Sequence, residues 1–209
     1  TLDPESPPRP RGEAPTIDNL AAVLPRFVGT IEQVPPAYSA VHVGGERAYK
    51  RVLRGETVEV PAREVTIHSL ELLRYDPPDA AVTIHCSKGT YVRSLARDIG
   101  EACSCGAYVT TLRRDSVGPF RLEEALTEPQ LEAIEPLEEV ALRIPGVRRI
   151  DLSSQTARRV ANGAKLQETL DNKLLVGEEP YIALYNPEGR LIGVAERRER
   201  GFQYILVRP

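Results

Sequence analysis

The sequence predicts an α+β fold, a mixed or antiparallel sheet with a few helices, followed by a smaller β-rich unit. Several stretches alternate apolar and polar residues and are bounded by glycine, proline or asparagine, a pattern typical of half-buried strands. One amphipathic helical stretch lies near the middle of the chain. An acidic, proline-punctuated connection ends at Pro145-Gly146, which favours a domain boundary there. We therefore predict a flexible loop at residues 1–15, a first domain at 16–144 and a second at 145–209.

The composition is that of an ordinary globular protein. The chain has 209 residues, of which 41% are hydrophobic and 27% charged, enough for one large or two smaller domains. No apolar run approaches the ~20 residues of a membrane span, and there is no signal-peptide pattern, so we predict a cytoplasmic protein with no membrane partner. Cys103 and Cys105 lack a second Cys/His pair. The three cysteines therefore predict free thiols and no metal site.

The charge is distributed unevenly along the chain. The net charge is −3, yet residues 1–142 carry 15 basic and 22 acidic side chains, whereas residues 143–209 carry 12 and 8. The basic side chains of residues 143–209 are clustered, which suggests a module that faces RNA, although a solvated basic surface explains the clustering almost as well. The clustered residues are Arg148, Arg149, Arg158, Arg159, Arg197, Arg198 and Arg200.

Before the central helix, the sequence predicts two short helices and five strands. Thr16 stands in an N-cap position, and apolar residues recur after it at helical spacing until Pro25. A second helix, residues 46–53, would end with Gly55 at its C-cap. The predicted turns are Gly44-Gly45 and Pro77-Pro78-Asp79. The predicted strands are residues 28–34, 39–43, 57–60, 64–75 and 80–86.

The central helix follows a strand-to-helix turn. Gly89 predicts the turn, and Thr90 stands where an N-cap residue is expected. The apolar face of the helix consists of Val92, Leu95, Ala96 and Ile99. Tyr91 and Arg93 lie off that face, just after Lys88, and two cations with an aromatic ring can hold phosphate and stack a base. On spacing alone, a capped helix with a solvated arginine and a half-buried tyrosine is the more common arrangement.

Beyond the central helix, the sequence predicts further strands and a second, strand-rich domain. Thr127-Glu128-Pro129-Gln130 has the pattern of a capping box, and a helical connection would run from it to about Leu142. Ser153 would cap a helix that ends at Gly163. The predicted strands are residues 107–112, 116–122, 147–152, 181–185, 191–195 and 202–207.

Three motifs of this sequence resemble, in order and spacing, those of bacterial tRNA pseudouridine synthases that isomerise the T-loop uridine. The most specific is Ser87-Lys88-Gly89-Thr90-Tyr91-Val92-Arg93. The others lie at residues 27–40, which read FVGTIEQVPPAYSA, and between Cys105 and Arg114. The resemblance covers most of residues 1–126 and implies a partial catalytic domain. More loosely, residues 145–209 resemble the PUA-type RNA-binding domain that ends many members of this family.

The resemblance implies an isomerase that uses no cofactor and no metal. Such enzymes break the N-glycosidic bond of a uridine, rotate the base and re-attach it through carbon 5, after the base has left the stack. The nucleophile is the Asp of a Gly-x-Leu-Asp-Pro-x-Ala-x-Gly motif. Leu2-Asp3-Pro4 lacks the rest of that motif and lies too close to residue 27, so we interpret Asp3 as a solvated carboxylate. The chain alone is therefore expected to be inactive, with the missing N-terminal half of the catalytic domain as its partner.

The resemblance also assigns roles to three positions. Tyr91 would pack beside the target base, Arg93 would pair with the nucleophilic Asp, and Leu112 would line the pocket beneath the base. Without the resemblance, Tyr91 is interpreted as an aromatic residue of the core, Arg93 as a member of an ion pair on the helix face, and Leu112 as a core residue of a strand. Further residues are candidates for contacts with tRNA phosphates. They are Lys88, Arg113 and Arg114 near the pocket, and Arg158 and Arg159 in the second domain.

Two alternatives to a tRNA pseudouridine synthase stay open at this point. One is a non-catalytic RNA-binding protein that keeps the tRNA-binding cleft of the fold without its nucleophile. The other is a protein-interaction module with a basic surface and no RNA partner. Salt-sensitive binding to a T-arm hairpin would exclude the interaction module, because such binding depends on phosphate contacts.

Overall fold

The computed structural model describes residues 12–126, 135–199 and 201–207. The chain divides into two compact units, Thr1–Leu112 and Arg113–Pro209, and the mixture of helices with largely antiparallel sheets confirms the predicted α+β class. Three of the predicted features lie outside the described residues. They are most of the flexible loop with Asp3, the capping box at residues 127–130, and Arg200.

The first unit begins with helix α1, Ile17–Val23. The predicted cap is confirmed, because the Thr16 hydroxyl accepts a hydrogen bond from the Asn19 N–H at 3.2 Å. Pro25 lies in a 3₁₀ turn that follows at once, and strand β1, Gly29–Gln33, then begins.

The segment after β1 differs from the prediction. Only His42–Val43 of the predicted strand 39–43 is a strand, β2, and it pairs with β3, Glu46–Arg47. Because Gly44 and Gly45 both have positive φ, at 63° and 86°, the chain closes a two-residue hairpin here. Residues 46 and 47 are thereby drawn into the hairpin, and helix α2 is limited to Ala48–Leu53.

Residues 57–60 do not form the predicted strand. Val58 and Val60 are buried against Ala48 of α2, and partly buried valines complete this small cluster. The alternation of apolar residues therefore reflects burial beneath a helix and not pairing within a sheet.

The main sheet of the first unit contains a long hairpin. Strand β4, Arg63–Asp76, and strand β5, Asp79–Cys86, confirm the two predicted strands and the turn between them. Strand β1 pairs with the other edge of β4, so that the order is β1-β4-β5 and every pairing is antiparallel. Helix α3, Val92–Ala102, follows β5. The buried core between these elements consists of Leu20, Leu24, Ile67, Leu70 and Leu95, with Ile99 partly buried against it.

Residues 107–112 are irregular and do not form the predicted strand. The chain at this point packs against α3: a Cβ atom built on Gly100 would lie 2.2 Å from the Ala107 backbone nitrogen. This close approach takes the place of sheet pairing. The predicted strand 116–122 is also divided, because Gly118, with φ +56°, turns β6, Ser116–Val117, back onto β7, Phe120–Arg121.

The second unit is a four-stranded sheet with helices packed on it. Its order is β11-β10-β9-β8, with β8 and β9 parallel and the remaining pairs antiparallel. The predicted Ser153 cap is confirmed, since its hydroxyl accepts a hydrogen bond from Thr156 N–H. Helix α6 is an addition to the prediction. The elements are α4 Leu137–Arg143, β8 Val147–Asp151, α5 Ser154–Ala161, α6 Leu166–Thr169, β9 Tyr181–Tyr185, β10 Leu191–Arg198 and β11 Gly201–Val207.

Helix α4 belongs to the second unit, although the predicted domain boundary follows it. Ala141 of this helix is buried with Tyr185 of β9, whose hydroxyl donates a hydrogen bond to the Glu138 carbonyl oxygen. Arg143 forms ion pairs with Glu124 and Glu135. A separate domain at residues 145–209 stays a prediction. No helix among the described residues combines the length and the apolar character needed to cross a membrane.

Candidate functional site

The candidate site lies in the first unit, at the N-terminal end of α3. Tyr91 is the N-cap residue of this helix, in an extended conformation with φ −99° and ψ 107°. The expectation that Thr90 caps the helix is wrong: its hydroxyl donates a hydrogen bond to the Ser87 carbonyl oxygen at 3.0 Å. Thr90 therefore stabilises the turn before the helix, and the helix begins one residue later than the cap prediction implies.

Two polar residues, one fully buried and one partly buried, contact Tyr91. Its backbone N–H donates a hydrogen bond to Oε1 of Gln33, at 2.8 Å, and Gln33 is fully buried. The guanidinium of Arg63 lies over the Tyr91 ring, 5.0 Å from its centroid, within cation–π range. Gln33 ends β1 and Arg63 begins β4, and the two are register partners in the sheet. The sheet therefore sets the position of the aromatic residue at the helix terminus.

Polar side chains of α3 hold the chain segment that follows β1. Arg93 Nη2 donates a hydrogen bond to the Tyr38 carbonyl oxygen at 3.1 Å. The Ser94 hydroxyl and Arg97 Nη2 both donate to the Val34 carbonyl oxygen, at 2.8 and 3.2 Å. Arg97 also forms an ion pair with Asp98 at 2.7 Å. The motif at residues 27–40 and the motif around Arg93, which are far apart in sequence, thus meet at one place.

Two other predicted site residues of the first unit are exposed. Lys88 is exposed in the turn before α3, and its contact with phosphate stays a prediction. Leu112 is 59% exposed and lies in an irregular segment, so the interpretation as strand core is wrong. An exposed leucine is consistent with a pocket wall that a bound base would cover, but its role stays a prediction.

The remaining predicted contacts lie in the second unit. Arg113 forms an exposed ion pair with Asp115 at 2.8 Å, and Arg114 is exposed beside it. Arg158 and Arg159 lie on the exposed side of α5, opposite the buried residues Ala157 and Val160. Because the Ser153 cap starts this helix, it also determines the direction in which the two arginines project.

Three of the clustered arginines in the second unit have acidic partners. Arg148 lies 3.4 Å from Glu179, Arg149 lies 2.8 Å from Asp151, and Arg198 pairs with Glu196. The hydrogen bond from Arg149 to Asp151 raises the pKa of Arg149 further. Within the part of the chain that the structure describes, Arg158 and Arg159 have no ion-pair partner, and Arg159 donates to the Glu168 carbonyl oxygen at 3.1 Å. These two are therefore the most available cations of the cluster.

Three functional candidates were missed by sequence reasoning. Gln33 lies inside a recognised motif, but nothing in its spacing indicates that its side chain accepts from Tyr91. Ser94 is fully buried on the polar side of α3, where helical periodicity predicts exposure. Arg63 follows Pro61-Ala62 at the start of a strand and carries no local signal. The residues described include no group of three or more His, Cys, Asp or Glu side chains that could hold a metal ion.

Two family models match consecutive parts of the chain. The first is described as TruB family pseudouridylate synthase (N terminal domain) and matches residues 5–92. The second is described as tRNA pseudouridylate synthase B C-terminal domain and matches residues 93–143. The junction between the two matches falls at the beginning of α3, between Tyr91 and Arg93.

Curated relatives align with nearly all of the chain. The tRNA pseudouridine synthase B of Thermobifida fusca (strain YX) is 40% identical over 220 residues, which cover 99% of this chain and 72% of the relative. The protein of the same name from Cupriavidus metallidurans is 40% identical over 195 residues, which cover 87% of this chain and 61% of the relative. The chain therefore spans about two thirds of the length of these relatives.

Solved structures share the fold. In the crystal structure of a Cbf5–Nop10–Gar1 complex, one chain matches with a TM-score of 0.64 and 21% identity, over 95% of this chain and 64% of that chain. A chain in the structure of an H/ACA RNP bound to a substrate RNA containing 2′-deoxyuridine matches with a TM-score of 0.59 and 19% identity, over 93% of this chain and 60% of that chain. These likenesses establish the α+β fold alone. The two family models and the relatives at 40% identity show that the chain belongs to the TruB family of tRNA pseudouridine synthases.

Proposed function

We propose that this chain is the RNA-binding part of an enzyme that isomerises the T-loop uridine of tRNA to pseudouridine. The observation that carries the proposal is the meeting of the residue 27–40 motif with Tyr91 and Arg93 at the start of α3. The reaction moves the uracil from an N1–C1′ to a C5–C1′ bond; the hydrogen on carbon 5 leaves as a proton, and N1 takes up a proton. Substrate and product have the same composition, so the reaction consumes no cofactor.

Each of the family positions has a role in this proposal. Tyr91 packs beside the extruded base, with its ring held between the sheet and the helix terminus. Arg93 pairs with the nucleophilic Asp and keeps it ionised, because a cation close to a carboxylate favours the charged form. Leu112 lies beneath the base, where covering its exposed side chain would add apolar burial to base binding.

The basic side chains supply phosphate contacts. Arg158 and Arg159 are supported by their exposure and by the absence of acidic partners among the described residues. Lys88, Arg113 and Arg114 are supported by exposure. Both side chains of the Arg113–Asp115 pair are exposed, so the pair contributes little to stability. The Arg113 guanidinium is therefore able to turn to a phosphate. We further propose that the C-terminal part acts as a PUA-type domain, and that the protein works in the cytoplasm, where tRNA is modified.

In this proposal, the nucleophilic Asp is not supplied by the sequence of this chain. The Gly-x-Leu-Asp-Pro-x-Ala-x-Gly motif does not occur in the sequence, and Asp3 lies outside the described residues. We therefore expect the chain alone to bind the T-arm without turning it over. The second candidate function is a non-catalytic RNA-binding protein on the same fold, for which the exposed cations Arg158 and Arg159 would serve equally well. Addition of a polypeptide that carries the motif distinguishes the two, since only an enzyme part would then gain turnover.

The test measures binding and turnover on one sample. A T-arm hairpin labelled with tritium at carbon 5 of the target uridine reports turnover as released tritium, and fluorescence anisotropy of the same hairpin reports binding. The expected result is salt-sensitive binding without release. Release by this chain alone would contradict the inactive state and make Asp3 the first residue to substitute. Absence of binding at low salt would exclude the proposed function itself.

A further inference from the structure

We propose that Arg63 is a positioning residue for Tyr91, and through Tyr91 for the target base. The structural half of this proposal concerns two side chains of this protein alone. Its second half, the effect on the base, rests on the proposed function. Arg63 lies in none of the three motifs that resemble the family, and it would act by holding the Tyr91 ring without touching the RNA.

The Arg63 side chain lies against the Tyr91 ring. Its guanidinium lies 5.0 Å from the Tyr91 ring centroid. Nε and Nη2 of the same guanidinium are buried, and no group in the described ranges accepts a hydrogen bond from them. Buried N–H groups without an acceptor are costly, and a side chain as long as arginine can normally avoid them by turning to water. The ring face of Tyr91 is thus the attractive partner that remains for this charge.

Tyr91 is held at two separate points. Gln33 fixes the backbone of Tyr91 through its N–H, and Arg63 covers the ring. Gln33 and Arg63 are directly opposite each other on adjacent antiparallel strands. An aromatic residue at a helix N-cap has no preceding helical turn to limit its side chain, so a ring at this position needs contacts from another element. The β1–β4 pair provides them.

The structural half is tested by fluorine NMR of the full chain labelled with 3-fluorotyrosine. The Tyr91 signal is assigned with Tyr91→Phe, and spectra are recorded for Arg63→Leu and Arg63→Gln. The matched control is Arg74→Leu, on the same strand, whose exposed guanidinium pairs with the exposed Asp76 at 3.4 Å. We expect the signal to move towards its position in the urea-unfolded chain in both Arg63 variants and to stay in place in the control. An unchanged signal in a folded Arg63 variant would overturn the proposal.

The functional half is tested by the dependence of binding on the base. Affinity is compared for a hairpin with uridine and a hairpin with an abasic site at the target position. Stacking of one base predicts that the uridine hairpin binds about fivefold to 150-fold more tightly. We expect Arg63→Leu to bring this ratio close to one without altering the salt dependence, and Arg74→Leu to leave it unchanged.

The two measurements separate the possible failures. If the unaltered chain binds neither hairpin, the proposed function has failed, while the fluorine spectra still decide whether Arg63 positions Tyr91. If the unaltered chain prefers the uridine hairpin and folded Arg63→Leu keeps the full preference, the positioning role towards the base is overturned. A purely structural role for Arg63 would weaken both hairpins equally and would also overturn it.

Discussion

Arg93 Nη2 donates a hydrogen bond to the carbonyl oxygen of Tyr38, at 3.1 Å, across 55 positions of sequence. The bond holds the guanidinium over the segment that follows β1, so the orientation of Arg93 depends on a loop and not on α3 alone. A side chain already restrained in this way loses less conformational freedom when it pairs with a carboxylate. The arrangement therefore suits a residue whose task is to orient a nucleophile.

Replacement of Arg93 by Ala should reduce turnover far more than RNA affinity. We expect about a hundredfold or greater loss of kcat in an enzyme completed with the motif that carries the nucleophile, because the proposed function pairs Arg93 with the reacting carboxylate. The Kd for the T-arm hairpin should change only a few-fold. Tritium release and anisotropy measure the two quantities. Arg74→Ala, an exposed arginine of β4, is the control, and equal losses of kcat and affinity in Arg93→Ala would rule out the assignment to the nucleophile.

The double substitution Arg158→Ala with Arg159→Ala should weaken RNA binding and reduce its salt dependence. If each arginine neutralises one phosphate, the slope of log K against log salt falls by about 0.9 per contact, or about 2 in total. The site of modification should stay the same. Titrations at several salt concentrations measure the slope.

The control for this pair is Arg198→Ala, since Arg198 has an acidic partner in Glu196. Its slope should stay close to that of the unaltered chain. An equal decrease in the control would show that the net charge of the second unit matters and that α5 is not a specific contact surface.

Helix caps, strand alternation and helical periodicity correctly predicted those elements whose formation depends on neighbouring residues in the sequence. The caps at Thr16 and Ser153 are confirmed, as are the strands of the β4–β5 hairpin. The buried stripe of α3 at Leu95 and Ile99 follows directly from helical periodicity. In each case, the pattern that determines the cap, the helix face or the strand lies within a short continuous stretch of sequence.

The failures have a different physical origin. Residues 107–112 have the apolar pattern of a strand, but the small side chain of Gly100 lets this segment pack against α3 instead. Gln33 and Arg63 meet Tyr91 only because β1 and β4 pair in one register. No window of sequence contains that information, so the contacts that position Tyr91 could not be predicted, whereas Tyr91 and Arg93 themselves were found through the motif.

Gly100→Ala should destabilise the first unit, although alanine is the better helix former. The propensity gain is about 1 kcal/mol, but the new Cβ would lie 2.2 Å from the Ala107 nitrogen and 2.3 Å from the Gly106 carbonyl carbon. Backbone atoms cannot move aside cheaply, so we expect a net loss of about 1–3 kcal/mol. Urea unfolding measures it, with the exposed neighbour Glu101→Ala as control. A more stable Gly100→Ala variant would show that residues 106–107 are not packed on the helix.

The thiol of Cys103 should make the stability of the first unit fall at alkaline pH. Burial against the core, with a smaller contribution from the neighbouring Cys105, raises the pKa of Cys103 above its ordinary value of 9.0. Because the raised pKa belongs to the folded state, the neutral thiol favours folding. The stabilisation by the neutral thiol is complete below the pKa that Cys103 has in the unfolded chain. It is lost as the pH rises through the higher pKa that Cys103 has in the folded chain.

Urea midpoints at pH 7 and at about pH 10 test this for the unaltered chain and for Cys103→Ala. The unaltered chain should lose more stability over that interval than the variant does. The thiolate is the species that reacts with iodoacetamide, so Cys103 should also be alkylated more slowly in the folded chain than in urea. Equal pH dependence in the two proteins, together with equal alkylation rates in folded and unfolded chains, would mean that the end of α3 is open to water and that Cys103 does not belong to the core.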